Sequence, residues 1–239
     1  MPPASSPDAD LRARLLDAAV GLLEASGPEA LRVRQLTAEV GTSTQALYTL
    51  FGGMPGLFRE LVREGFRRFD QRVAEVPETD DPVTDCYRQG LAYRDWARRH
   101  PHLYRLMFGL TGTGHRVHAG WDMTAAGTPF AIPEGRAAFD RLVRSVDRMK
   151  QAGRMHPVDS VSAAGQIWSA THGYVLLEIA GYFGEAHGLT QVLGPLAINV
   201  MVGLGDSREA AKRSAQPLLA DLSTGAGGAG SGEGGGAQR

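Results

Sequence analysis

Apolar residues recur at helical spacing along most of the chain, three or four positions apart. Because positions i, i+3, i+4 and i+7 share one face of an α-helix, this spacing predicts amphipathic helices. Glycine and proline, which end helices, separate the stretches in which the pattern holds. In the first third of the chain the predicted helices are 11–23, 33–40, 43–51 and about 55–76.

The same spacing continues after Pro77, at 83–99, 101–109, 134–152, 158–184 and 189–205. No segment shows the sustained apolar/polar alternation that indicates a strand. The stretch 111–132 is rich in Gly and Thr and breaks the pattern; it contains His115, His118, Trp121 and Phe130. The sequence therefore predicts an all-α fold.

The breaks also predict how the chain is divided. A helical domain at 10–75 follows a disordered arm at 1–9, and a larger helical bundle occupies 76–222. The Gly-rich segment 223–239 cannot bury enough apolar surface to offset the entropy of ordering it, so we expect a disordered tail.

Composition narrows the class of protein. The 239 residues include 25 basic and 26 acidic side chains, a balance that disfavours a protein coating a polyanion but allows a local basic patch. The single cysteine, Cys86, excludes a disulfide within the chain. Neither a signal peptide nor an apolar run of about 20 residues is present, so we expect a cytoplasmic protein with no membrane partner.

The segment 33–51 combines two short predicted helices with a tight turn at Gly41. Such a pair can form a DNA-reading helix-turn-helix, whose second helix must be slim enough to enter the major groove. Small or flexible polar residues begin that helix, and two arginines at the start of the preceding helix can reach the DNA backbone. The candidate DNA-binding residues are Arg32, Arg34, Ser43, Thr44, Gln45, Tyr48 and Thr49. An ordinary helical hairpin in a bundle fits the spacing equally well.

The residues from Val33 to Gly52, running on to Leu57-Phe58, resemble the DNA-binding domain of the tetracycline-repressor (TetR) family. The shared features are the Gly-x-Ser turn at 41–43, Leu-Tyr-x-x-Phe at 47–51 and the apolar pair in the next helix. The resemblance implies an N-terminal three-helix helix-turn-helix domain, a larger C-terminal helical bundle, and a transcriptional regulator rather than an enzyme.

The resemblance also implies partners. Members of the family are homodimers that bind a palindromic operator in double-stranded DNA and enclose a small-molecule effector in the C-terminal domain, so we expect a ligand-responsive repressor. The last two long helices of the family form its dimer interface, which corresponds here to 158–184 and 189–207. The stretch from Trp168 to Gly173 is similar to a sub-group with a Trp…His-Gly motif.

Three positions depart from the family pattern: Arg32 replaces a common Thr or Ser, Leu50 an aromatic residue or His, and Met54 a phosphate-binding Lys. Because phosphate contacts supply non-specific DNA affinity, we expect Arg32, Arg34 and arginines of the first helix to compensate. A helical protein-interaction module of the same fold that has lost DNA binding is the alternative.

Aromatic residues of the C-terminal half could wall an apolar cavity with few polar groups, the usual make-up of a ligand site. Each of them also fits an ordinary core. We expect a mostly apolar or aromatic effector. The candidate effector-binding residues are Trp96, Tyr104, Phe108, Trp121, Trp168 and His172.

Two other kinds of site are disfavoured. The closely spaced pairs His100/His102 and His115/His118 lack an accompanying cysteine or carboxylate cluster, so we predict surface histidines and no metal. The phosphate-binding, nucleophile and zinc-hydrolase signatures are missing, so we predict no enzyme and no cofactor.

Overall fold

The computed structural model describes residues 6–111 and 132–226, with side chains described to residue 218. These residues form helices and connecting turns with no strand among them, which confirms the predicted all-α fold. The first part contains α1 (Pro7–Ser26), a 3-10 turn (Pro28–Ala30), α2 (Val33–Val40), α3 (Thr44–Phe51), α4 (Met54–Ala74), α5 (Pro82–Arg99) and α6 (Pro101–Met107). The second part contains α7 (Pro133–Gln151), α8 (Ser160–Ile179), α9 (Glu185–His187), a π-helical stretch (Gly188–Leu193), α10 (Gly194–Gly203) and α11 (Arg208–Ala226).

The start of α1 and the whole of α11 are among the differences from the sequence pattern. Helix α1 begins at Pro7, before the first apolar residue of the pattern, because the Ser6 side chain accepts a hydrogen bond from the Ala9 amide at 3.2 Å. Helix α11 was missing from the predicted elements. It contains Pro217 in its interior, and a proline normally indicates the end of a helix.

The chain divides into two compact units, residues 1–75 with 92–141 and residues 76–91 with 142–239. The first unit contains α1–α4, which carry the helix-turn-helix, and also α6 and the second half of α5. The sequence pattern places these last two elements in the larger domain.

In the first unit, α1 packs against α2, α3, α4 and α6. Fully buried leucines from these helices fill the core between them: Leu15, Leu23, Leu36, Leu47, Leu57, Leu61 and Leu103. Burying a leucine side chain contributes about 1.5–3 kcal/mol, so this shared core fixes the short helices that would not be stable alone.

In the second unit, α10 packs against both α8 and α11. A part-buried polar network centred on Arg154 joins the segment before α5 to the turn before α11. The guanidinium donates to both carboxylate oxygens of Asp206, at 2.9 and 2.7 Å, and to Asp81 at 3.1 Å. Within residues 6–111 and 132–226, no helix is both long and apolar enough to span a membrane.

Candidate functional site

The turn between α2 and α3 is held by short-range hydrogen bonds. Gly41 has φ +72° and ψ 41°, left-handed values that a glycine adopts without strain. The Thr42 amide donates to the Thr37 carbonyl at 2.9 Å, and the Ser43 hydroxyl accepts from the Ala46 amide at 3.2 Å. The sequence therefore ends one helix and starts the next within three residues.

Helix α3 has one buried and one exposed side. Leu47 is fully buried and Phe51 is nearly so, and together they anchor the helix in the core of the first unit. The polar side chains of α3 lie outside that core. The exposed residues in and next to α3 are Ser43, Thr44, Gln45, Tyr48 and Thr49, and Arg32 and Arg34 at the start of α2 are exposed as well. An uncharged polar helix face of this width can enter a major groove.

Two arginines of α1 contact residues at the ends of α2 and α3. Arg12 lies over the Phe51 ring at 5.1 Å and pairs with Glu60 at 2.7 Å. Arg14 donates to the Val40 carbonyl at 2.8 Å, which satisfies the C-terminal end of α2. Both guanidinium groups therefore brace helices rather than stand free for a phosphate.

Sequence reasoning missed Arg59, in the second turn of α4. Its side chain is exposed, and no described acidic residue pairs with it. Its guanidinium lies 3.5 Å from the position that a Cβ on Gly56 would take, close to the start of α4. The signal in the sequence is an arginine shortly after Met54, the position at which the family often has a lysine.

Three of the candidate effector residues lie together in the first unit. The Tyr104 and Phe108 rings are 4.9 Å apart, and Trp96 lies 5.5 Å from Phe69. Phe69 in turn contacts Tyr93 at 4.9 Å, and the Tyr93 and Tyr104 rings are 5.9 Å apart. Sequence reasoning missed Phe69 and Tyr93, which complete the cluster.

The polar part of this cluster is a pair of phenol groups. The Tyr93 and Tyr104 hydroxyls are 2.8 Å apart and buried. Burial and the neighbouring Tyr93 raise the pKa of Tyr104, so its phenol stays neutral. These rings and the two hydroxyls are almost entirely shielded from solvent.

Two further candidates lie in the second unit, on α8. The rings of Trp168 and His172 are 5.4 Å apart and tilted by 43°. Burial lowers the pKa of His172 to about 4, so the imidazole is neutral at pH 7. Trp121, the remaining candidate, lies outside the described residues, as do His115, His118 and Phe130. Among the described residues, no group of three or more His, Cys, Asp or Glu side chains could hold a metal ion.

Comparison with known families matches both parts of the chain. Residues 15–61 match the family model of the bacterial regulatory proteins of the tetR family. Residues 87–193 match the model of the tetracyclin repressor-like C-terminal domain. A comparison with curated proteins found no match.

Solved structures share the fold. A Rhodococcus sp. RHA1 protein of unknown function is 25% identical over 86% of this chain and all of its own, with a TM-score of 0.67. A tetR-family regulatory protein from Rhodococcus RHA1 is 18% identical over 85% of this chain and all of its own, with a TM-score of 0.57. RolR in complex with resorcinol is 18% identical over 88% of this chain and 95% of its own, with a TM-score of 0.58.

Proposed function

Since the chain belongs to the TetR family, and is therefore a DNA-binding transcriptional regulator and not an enzyme, we propose that it is a ligand-responsive repressor. It binds a palindromic operator as a homodimer and is released by a small, mostly apolar effector. The observation that carries the proposal is the exposed face of α3. This face carries uncharged polar side chains, whereas the opposite, apolar face of the helix is buried.

In this proposal each subunit inserts one α3 into a major groove. Gln45 can pair with an adenine edge, and the Ser43, Thr44 and Thr49 hydroxyls can bond bases or phosphates. Tyr48, with 55% of its side chain exposed, offers a phenol hydroxyl to the DNA backbone. The two recognition helices then lie about 34–36 Å apart, one turn of B-DNA.

A genome-wide pull-down of bound DNA fragments with the purified protein tests the DNA-binding proposal and yields the operator. The double substitution Gln45→Ala with Tyr48→Phe should abolish the sequence-specific mobility shift. Gln71→Ala, at an exposed position of α4, is the control and should leave the shift unchanged. Retention on DNA that does not depend on salt, or no retention, would instead favour an interaction module that has lost DNA binding.

The dimer interface in this proposal consists of 158–184 and 189–207. The apolar helix α10 supports it, because most of its side chains are only half-buried in the single chain. A charged residue at Leu176 or Ile198 should therefore give monomers on size exclusion. Leu110→Asp, at a half-exposed position outside these segments, is the control. A stable dimer with Leu176→Asp would contradict the proposed interface.

The candidate effector-binding residues of this proposal are Trp96, Tyr104 and Phe108 in the first unit, Trp168 and His172 in the second, and Trp121, which lies outside the described residues. RolR, which shares the fold, was solved in complex with resorcinol, so a protein with this fold can take a small aromatic molecule. A thermal-shift screen checks this: lipophilic and aromatic compounds should raise the melting temperature, and charged hydrophilic ones should not. A screen in which no lipophilic compound stabilises the protein would contradict it.

Effector binding must favour a state in which the two α3 helices no longer match the operator. Contacts of α6 within the first unit indicate how a bound effector could act on the DNA-binding helices. The Glu24 carboxylate, at the end of α1, accepts from the Leu103 amide at 3.0 Å and so caps α6. A ligand that moves Tyr104 therefore acts on a helix tied to the DNA-binding helices.

A further inference from the structure

The charged side chains of the helix-turn-helix all lie outside α3. No residue from Thr42 to Gly53 is acidic or basic, and the whole of this stretch is described. Arg32 and Arg34 are exposed at the start of α2, and the first helix of such a motif crosses the DNA backbone. Whatever α3 reads in a groove, it therefore reads with uncharged side chains.

Two of the exposed side chains of this region already have a structural role. The Ser43 hydroxyl accepts from the Ala46 amide at 3.2 Å and so caps α3. The Tyr48 ring lies against the backbone next to the start of α4, since a Cβ on Gly53 would come within 3.1 Å of its Cε1 atom. Neither side chain is therefore as free to follow a base edge as the rest of the exposed face.

The side chains of Thr44, Gln45 and Thr49 make up that rest. All three are exposed, and no described residue forms a hydrogen bond with any of them. Thr44 and Gln45 lie in the first turn of α3, the part of a recognition helix that contacts base edges. Thr49 follows Gln45 by four positions and so shares its face. These three side chains are the ones available to read bases.

Their chemistry matches A·T pairs better than G·C pairs. A glutamine amide combines an acceptor with donors, which complements the N6 donor and the N7 acceptor of adenine. Guanine presents two acceptors, O6 and N7, and is usually read by the two donors of an arginine or by a lysine, which α3 lacks. The methyl group of a threonine can contact the C5-methyl group of thymine.

We propose that α3 reads A·T pairs in each half-site: Gln45 bonds adenine N6 and N7, and the methyl groups of Thr44 and Thr49 contact thymine methyl groups. The proposal rests on the proposed function, because it assumes that α3 enters a major groove. It adds the base pairs that the operator must present under α3 and makes Gln45 the residue that determines them. Base pairs within reach of Arg34 lie outside the proposal.

The test uses the operator recovered in the pull-down, with single bases modified in one half-site. 7-Deazaadenine removes the N7 acceptor of adenine, and uracil in place of thymine removes the C5-methyl group. Dissociation constants are measured by fluorescence anisotropy at one salt concentration. One 7-deazaadenine position should weaken binding about fivefold, the value of one hydrogen bond. Uracil at a contacted thymine should weaken it about threefold, the value of one buried methyl group.

Variants assign each effect to a side chain. Gln45→Ala should bind the 7-deazaadenine operator and the unmodified operator equally, because the amide that detects N7 is gone. Thr44→Ser with Thr49→Ser keeps both hydroxyls and removes both methyl groups, so this variant should bind the uracil and thymine operators equally. Gln35→Ala, which removes an exposed glutamine of α2, is the matched control and should keep both sensitivities.

Several results would overturn the proposal while the operator is still bound. Among them are an operator on which no 7-deazaadenine has an effect, an adenine effect that survives in Gln45→Ala, and a uracil effect that survives in the threonine variant. A 7-deazaguanine effect that disappears in Gln45→Ala would also overturn it, because α3 would then read guanine. Failure of the proposed function looks different: the pull-down then enriches no sequence, and both proposals fall together.

Discussion

In the helix-turn-helix, the hydrogen bonds that fix α2 against α3 join residues close together in the chain. The Ser43 cap and the Thr42–Thr37 bond span three and five positions. In the second unit, Arg154 reaches Asp206 across 52 positions, and Ser214 reaches Asp81 across 133. One region is specified by neighbouring residues, whereas the other forms only when distant charged groups meet.

The two regions also differ in the kind of interaction that stabilises them. The helix-turn-helix depends on backbone geometry. A side chain at Gly41 would strain the left-handed backbone, and one at Gly56 would overlap the backbone of Phe51, so either change displaces α3. The Arg154 network compensates the buried charge of Asp206, and an unpaired buried charge is costly. The two regions should therefore fail in different ways when single residues are changed.

The largest effect is expected for Gly56→Ala. A Cβ at this position would overlap the Phe51 carbonyl oxygen and lie 2.7 Å from the carbonyl carbon. Because both partners are backbone, α4 must move away from the end of α3, at a cost of roughly 4 kcal/mol or more. The melting temperature should fall, and the mobility shift with DNA should weaken.

Gly21→Ala is the matched control, because Gly21 is exposed in α1 and a Cβ there meets no atom within 4 Å. Alanine favours a helix over glycine, so this variant should gain about 0.5–1 kcal/mol. If Gly56→Ala melted like the control and still bound DNA, the α3–α4 contact would not position the recognition helix.

The next largest effect is expected for Arg154→Met, which leaves Asp206 and Asp81 without their counter-charge. The Asp206 side chain is only 4% exposed, so the free energy of unfolding should fall by about 3 kcal/mol. Urea unfolding measures it. Arg99→Met is the control, since Arg99 is 69% exposed beside Asp95 and its loss should change stability by less than about 0.5 kcal/mol. Equal effects of the two substitutions would mean that the network contributes no more than a surface pair.

The contrast in contact range also explains what the sequence could predict. Gly41, the Ser43 cap and the buried pair Leu47 and Phe51 act within one or two helical turns, so their spacing alone indicates the helix-turn-helix. The absence of strand patterns likewise predicted the all-α fold. The polar side chains of α3 are exposed, and their contacts with DNA stay a prediction.

Features that depend on distant partners were not predictable. Nothing in the local pattern shows that Arg14 caps α2 or that Asp81 meets Ser214. The aromatic cluster depends on which helices neighbour each other, so Phe69 was missed while Trp96 was identified by residue type. Helix α11 was missed because Pro217 locally resembles a helix end.

A smaller effect, dependent on pH, is expected from His172 in the second unit. Burial lowers its folded pKa to about 4, below the value near 6.5 of the unfolded chain. As pH falls from about 6.5 to 4, the unfolded chain binds a proton that the folded protein does not, so stability is lost over this window. Half-burial of the side chain limits the loss to roughly 1–2 kcal/mol. Chemical unfolding at a series of pH values should show a flatter profile for His172→Gln; parallel profiles would contradict the assignment.

The smallest effect is expected at the DNA interface, from Arg59→Ala. An exposed arginine near the start of α4 can bond a phosphate, so its loss should weaken all DNA sequences alike, about tenfold at low salt. The slope of log affinity against log salt should become shallower by about one per subunit. Titrations of operator and unrelated DNA at several salt concentrations measure both quantities.

Arg63→Ala is the matched control for Arg59→Ala. The Arg63 guanidinium lies 3.0 Å from Glu60, so it already has a counter-charge and should contribute little to the salt slope. Gln45→Ala provides the opposite contrast, because losing a base contact weakens the operator more than unrelated DNA. An unchanged salt slope with Arg59→Ala would mean that Arg32 and Arg34 carry the phosphate contacts alone. The start of α4 would then only support α3.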